Sequence, residues 1–396
     1  MPGLFFDHLG ESGRIKDSVD FSPVRASRGL PLLGPHSMKL THRKSHTRTE
    51  FVMSAFGDAM GGCVHHDDAD SIISRYGIYG VCSPPRPGLV TSGTQLMLFT
   101  ADALIRNRIG NNSRTGALVE LRHAYLRWFK TQLLLEPNRG APRPFEEHSD
   151  PGWLAQMPQL CQVRLSDPCI ASSLRQGANG TLESPVNGSA NGVALTRVTQ
   201  IGLVYGPHEA FWLAARAAAF TNGSPIACYA SAALAHLLAN LSAGMNMSLA
   251  IESLTATFKG RPEAYSVVRW VREAAQGAQS SPGQLGVLEN LAIDDSADHT
   301  LATAVYCFLS EPDLTRATWS MALAANHSGP SALTCSVTGA LLGAWHGADV
   351  INRRWLARME LIRAIVQVAD DLSDAFDGKF NENDESAYPS INQSSH

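Results

Sequence analysis

A helical period runs with few breaks from about residue 50 to residue 375 of this 396-residue chain, and it limits the fold more than any other feature. TQLMLFTADALIRNR (94–108) places Leu96, Phe99, Ala103 and Leu104 at helical spacing. ALVELRHAYLRWFKTQ (117–132) does the same with Leu118, Leu121, Tyr125 and Trp128. AFWLAARAAAF (210–220) and SAALAHLLANL (231–241) are alanine-rich and helix-forming, and the pattern continues through SLAIESLTATF, AYSVVRWVREAAQ, TLATAVYCFLS and ATWSMALAA to Leu356–Asp371. Alternation of the strand type is scarce, with VALTRVTQIGLV (193–204) as its one fair candidate. Glycine and proline fall between the periodic segments, as breakers should. The reading is a single all-α domain over 49–376. Two of its segments, around Asp58–Gly62 and Thr338–Ala344, are rich in small residues and fit helices whose backbones approach closely.

The chain is 44% hydrophobic and 17% charged, with a net charge of −4, which suits a large compact core and excludes the basic excess of a nucleic-acid or anionic-membrane binder. Its seven cysteines, Cys63, Cys82, Cys161, Cys169, Cys228, Cys307 and Cys335, are scattered and never spaced as CxxC, so free thiols are expected. No stretch of 18 uninterrupted apolar residues occurs and the N-terminus lacks the pattern of a secretory signal. The expected location is therefore the cytoplasm, with export by a route that leaves no cleavable signal still open. Residues 1–48, rich in Ser, Pro, Gly, His and basic residues, are expected to be a mobile basic leader, and 377–396 a polar tail.

Five segments occur together in one order: FGDAMGG (56–62), PGLVTSGTQLMLFTADALIR (87–106), GSANGVALTRV (188–198), FTNGSP (220–225) and NHSGPSALTCSVTGALLGAWHG (326–347). With RWLARMEL (354–361) and VADDL (368–372), they resemble the ADP-ribosylglycohydrolase family, which includes ADP-ribosylarginine hydrolases and dinitrogenase-reductase-activating glycohydrolases. The resemblance implies an orthogonal multi-helix bundle. It also implies a binuclear magnesium site whose carboxylates hold ions that activate water for attack at an anomeric carbon.

The motifs depart from that pattern at the metal positions. Where the family reads T-D-D-T, this chain has Thr91, Ser92, Gly93 and Thr94. Where it reads N-H-S-G-D-S-D-S-T, this chain runs from Asn326 to Thr334 with Pro330 and Ala332 at the aspartate positions, and His65 falls at a usual glutamate. Hydroxyls are poor substitutes for carboxylates around Mg²⁺, so no magnesium and no other cofactor is expected. The glycine-rich loop carries Val193 and Ala194 at two glycine positions, and T-H-x-H-P has become Thr221 to Pro225 without its histidines. The altered pocket is assigned Thr91, Ser92, Gly188, Ser189, Asn191, Gly192, Ser224 and His327, with no catalytic residue named.

Asp58 is read as structural, the His65, His66, Asp67, Asp68, Asp70 cluster as a solvated loop, and Asp370 and Asp371 as surface residues. The functional expectation is a pseudoenzyme or repurposed protein that binds an ADP-ribose-like molecule or an ADP-ribosylated protein, without nucleic acid or membrane. A second reading is a metal-independent hydrolase or lyase acting on an ADP-ribose-like N- or O-glycoside. A third is an interaction protein whose pocket is closed by side chains such as Leu333 and Val193.

Overall fold

The computed structural model describes residues 40–65, 67–110, 112–133, 151–164, 167–380 and 386–389. The first eight α-helices are α1 (Leu40–Gly62), α2 (Ala69–Tyr76), α3 (Ser92–Ile109), α4 (Arg114–Leu133), α5 (Pro168–Arg175), α6 (Leu195–Val204), α7 (Pro207–Ala219) and α8 (Pro225–Ser242). The remaining eight are α9 (Met247–Thr257), α10 (Tyr265–Ser280), α11 (Leu285–Leu291), α12 (Ala297–Ser310), α13 (Ala317–Ala325), α14 (Ser331–His346), α15 (Arg353–Leu356) and α16 (Ile362–Phe376). Among the described residues there is no strand, only isolated bridges between Gly88 and Met359 and between Asn191 and Ser296. The strand-like run 193–204 is a short 3₁₀ turn followed by α6. Every residue of α6 is buried, so no polar face alternates with an apolar one and the helical period is invisible in the sequence.

α14 is the axis of the core, packing on α1, α6, α8, α12 and α13. Its contact with α1 is backbone on backbone. A Cβ on Gly57 would land on the carbonyl of Cys335, one on Gly61 on the carbonyl of Ser331, and one on Gly339 on the carbonyl of Met53. A Cβ on Gly343 would sit 2.6 Å from Glu50 Cα. Glycine at i and i+4 on each helix thus removes the side-chain layer that ordinarily separates two helices. α8 is long and apolar enough, by length and composition alone, to cross a membrane, but its side chains are mostly buried within the fold, as in the core helix of a globular domain.

Both chain ends of the domain differ from the sequence expectation. α1 begins at Leu40, so residues 40–48 are helix and not leader; residues 1–39 lie outside the described residues. The basic run reads as a solvated tail because its partners are over 300 residues away. Lys44 Nζ is 2.5 Å from Asp374 Oδ2, and Arg48 donates to both oxygens of Asp370 at 2.9 and 2.6 Å. Asp370 is therefore an ion-pair partner and not a free surface residue. The expected C-terminal tail also returns to the core in part: Tyr388 is buried, its hydroxyl donates to Asp371 Oδ2 at 2.7 Å, and the Pro389 carbonyl accepts from Arg106 Nη1 at 2.5 Å. The other tail residues, 381–385 and 390–396, lie outside the described residues.

Glu50 lies where α1 meets α14 and α6. Its carboxyl is fully buried, neither oxygen has a well-formed hydrogen bond, and burial pushes its pKa up from 4.5 to about 8, against the opposing pull of Thr199 and Gln200. The folded protein holds this proton while the unfolded chain releases it near pH 4.5, so the contribution of Glu50 to stability falls as pH rises from there to about 8 and is level above. Glu50→Gln removes that slope, which is at most about 1.4 kcal/mol per pH unit. Urea melts of both proteins at several pH values between those limits check this. A second expectation concerns the close contact. Gly339→Ala lowers stability by at least about 1–3 kcal/mol, the usual range for overpacking, because the obstacle is backbone and cannot rotate aside. Chemical denaturation reads the loss.

Candidate functional site

The residues that resemble metal motifs meet at one place because helices start there. Thr91 caps α3, accepting from Gly93 N at 3.0 Å, and Asp167 caps α5, accepting from Cys169 N at 2.7 Å. The first turns of α3, α5, α6 and α14 converge on a cavity of about 180 Å³. Ser92, Thr196 and Asp167 supply polar groups; Leu96, Ile170, Val193 and Leu333 supply apolar walls.

Asp58 organises the α3 end from beneath. It is fully buried on α1 and takes three hydrogen bonds: Thr91 N–H at 2.7 Å, Thr91 Oγ1 at 2.5 Å and Thr94 Oγ1 at 2.6 Å. Burial pushes its pKa up, and the donations from Thr91 and Thr94 oppose this. A carboxylate at a helix N-terminus also meets the positive end of the helix dipole. Asp58 therefore ties α1 to α3, and its oxygens are already spoken for. His65 lines the same cavity, its Nδ1 accepting from Ala332 N at 3.2 Å and so capping α14. Ser331 Oγ, next to it, donates to the His327 carbonyl at 3.1 Å.

Of the eight residues assigned to the pocket from sequence, Thr91 and Ser92 line it. His327 does not. Its ring is fully buried, Nδ1 accepts from Gly329 N at 2.9 Å, and burial pulls its pKa down to about 4, so it is a neutral core histidine. The remaining five are not among the cavity's lining residues either. Asn187 Oδ1 holds the N–H groups of Ser189 and Gly223, each at 2.9 Å, and Ser224 N donates to the Ser189 carbonyl at 3.2 Å while its side chain caps α8. Gly192 is tightly packed, a Cβ there falling 2.7 Å from Thr300 Oγ1, whereas a Cβ on Gly188 would meet open space. Asn191 acts at one remove: it accepts from Asn222 Nδ2 at 2.8 Å and donates to Asp167 Oδ2 at 2.8 Å. Asp167 itself is the carboxylate that sequence reasoning missed. Its signal, Asp followed by Pro ahead of an apolar run, is that of a helix start.

The His–Asp cluster after α1 is divided among separate tasks. Asp67 pairs with Arg75 at 2.7 Å and Asp68 caps α2 through Ser71 N at 2.7 Å; His66 lies outside the described residues. Among the described residues no group of three or more His, Cys, Asp or Glu side chains is placed to hold a metal ion. All seven cysteines are free, and burial pushes the thiol of Cys169, beside Asn191, up to about 11.

The sequence profile of the ADP-ribosylglycohydrolase family matches residues 43–382. The chain belongs to that family. A solved structure described as an ADP-ribosylglycohydrolase-related protein complex covers 85% of this chain and 99% of its own at 23% identity, with a TM-score of 0.56, and so shares the fold. No curated protein is found to match the chain. The donor set at the family's metal positions, Ser92, Gly93, Pro330 and Ala332, does not fit a pair of magnesium ions, and the nearby carboxylates Asp58 and Asp167 are engaged in holding helix ends.

Asp58→Asn replaces one acceptor oxygen with a donor facing Thr91 and Thr94, and is expected to cost about 2–3 kcal/mol. Hydrogen exchange should rise in the first turn of α3 before it rises elsewhere.

Proposed function

We propose that this member of the ADP-ribosylglycohydrolase family has given up dimetal hydrolysis and binds the ribosyl end of an ADP-ribose-like molecule, free or attached to a protein. The observation that carries this reading is the cavity's composition. One carboxylate, Asp167, whose oxygens already accept from Cys169 N and Asn191 Nδ2, lines it together with the hydroxyls of Ser92 and Thr196 and the apolar side chains of Leu96 and Leu333. A carboxylate accepts from sugar hydroxyls, neutral hydroxyls both give and accept, and apolar side chains cover the carbon face of a ring. At about 180 Å³ the cavity is smaller than most whole-ligand pockets, so it suits one sugar ring with the rest of the ligand outside. Val193 and Leu333 narrow the cleft without filling it, which disfavours a closed interaction surface. Seven free thiols suit a reducing compartment, and we assign the protein to the cytoplasm on that basis.

Calorimetric titration with ADP-ribose tests this. Binding is expected to be the same with magnesium or with a chelator, and Asp167→Asn, which still caps α5, is expected to weaken it about tenfold. Ser92→Trp, which fills the cavity, should abolish it. Magnesium-stimulated release of ADP-ribose from ADP-ribosylarginine would overturn the reading. Because Asp167 and His65 are titratable groups at the cavity, a second reading is metal-independent glycoside cleavage. Chelator-resistant turnover that disappears in Asp167→Asn would favour it.

A further inference from the structure

A second cavity, of about 270 Å³, opens between α4 and α7 and shares no lining residue with the cleft. Its floor is a stripe of α7: His208, Trp212 and Arg216 follow one another at i, i+4 and i+8 and so lie on one face. Leu213 of α7 and Leu118 of α4 add apolar wall. At the rim Arg114 donates through Nε to Glu209 Oε1 at 2.6 Å, which leaves its terminal guanidinium nitrogens facing solvent.

Three features separate this from an ordinary patch of surface. Trp212 is held in place from outside the cavity, with the Arg261 guanidinium 4.7 Å from its ring centroid and Phe211 edge-on at 5.1 Å. A tryptophan braced by neighbours is a preorganised platform that loses little freedom when a ring lies on it. Arg216 and His208 have no ion pair or hydrogen bond among the described residues, although Glu209 is on the same helix. The charge balance of the lining is positive: two guanidiniums, of Arg114 and Arg216, against the one carboxylate of Glu209.

We propose that this cavity is a second binding site, for a small organic anion with a flat apolar body, of the aromatic carboxylate class. The ring rests on Trp212 against Leu118 and Leu213, and the carboxylate meets Arg216 with Arg114 at the rim. Guanidinium donors in a planar fork match a carboxylate. The site does not depend on what occupies the cleft.

The test uses the full chain with ¹⁵N-labelled tryptophan, titrated with indole-3-carboxylate and, separately, with uncharged indole-3-carboxamide. The indole N–H signal of Trp212, assigned through Trp212→Phe, is expected to shift saturably with the acid. The amide is expected to bind at least about tenfold more weakly, and Arg216→Gln to weaken the acid by about tenfold. Ser92→Trp, in the separate cleft, is expected to leave the titration unchanged. No shift at millimolar acid, equal binding of acid and amide, or an unchanged titration in Arg216→Gln would each overturn the site. A glutamate-rich peptide carrying one tryptophan serves as a competitor. If it displaced the acid at far lower concentration, the small-ligand assignment would fall in favour of a protein partner.

Discussion

The glycine contact between α1 and α14 is the constraint on which the rest of the structure rests. With Gly57 and Gly61 facing Cys335 and Ser331, and Gly339 and Gly343 facing Met53 and Glu50, the two backbones touch along several turns. Close approach brings the end of α1 against the start of α14, and Asp58 on the same turn of α1 holds Thr91 at the start of α3. This backbone contact thus fixes the start of α14, one wall of the cleft, relative to α1, and a bulkier residue at any of these glycines would disturb that wall as well as weaken the core.

That arrangement also explains how the cleft is held in shape by the protein's own groups. The helix starts around the cavity are satisfied from within the protein: Asp58 and Thr91 hold α3, Asp167 holds α5, and His65 holds α14. None of these depends on an ion. The cost of burying Asp58 is offset by its three donors. Glu50 has no comparable set: neither of its oxygens has a well-formed hydrogen bond.

The fold was largely legible because alanine-rich segments such as 210–220 and 231–241 carry both propensity and period, and because the family motifs occur in order. What escaped had physical causes. α6 lost its period by being buried all round, and the first turns of α1 looked like a tail because their stabilising acids, Asp370 and Asp374, belong to the far end of the chain. At the site, Thr91 and Ser92 were found from their motif. His327 sits in an equally recognisable motif yet turns into the core, since its place in the sequence says nothing of where the ring points. Asp167 and Thr196 enter the cavity through tertiary packing of short local signals.

The pairing of Lys44 with Asp374 spans 330 positions, and α1 needs α14 and α16 to cover it. During synthesis the first helix leaves the ribosome long before either partner exists. The intervening helices must collapse around a gap, or α1 must wait with its glycine face exposed, until nearly the last turn of the domain is made. Such a high separation between contacting residues makes closure of the core a late event. The cleft, whose shape depends on α1 lying against α14, is therefore completed only when the two ends of the domain have met.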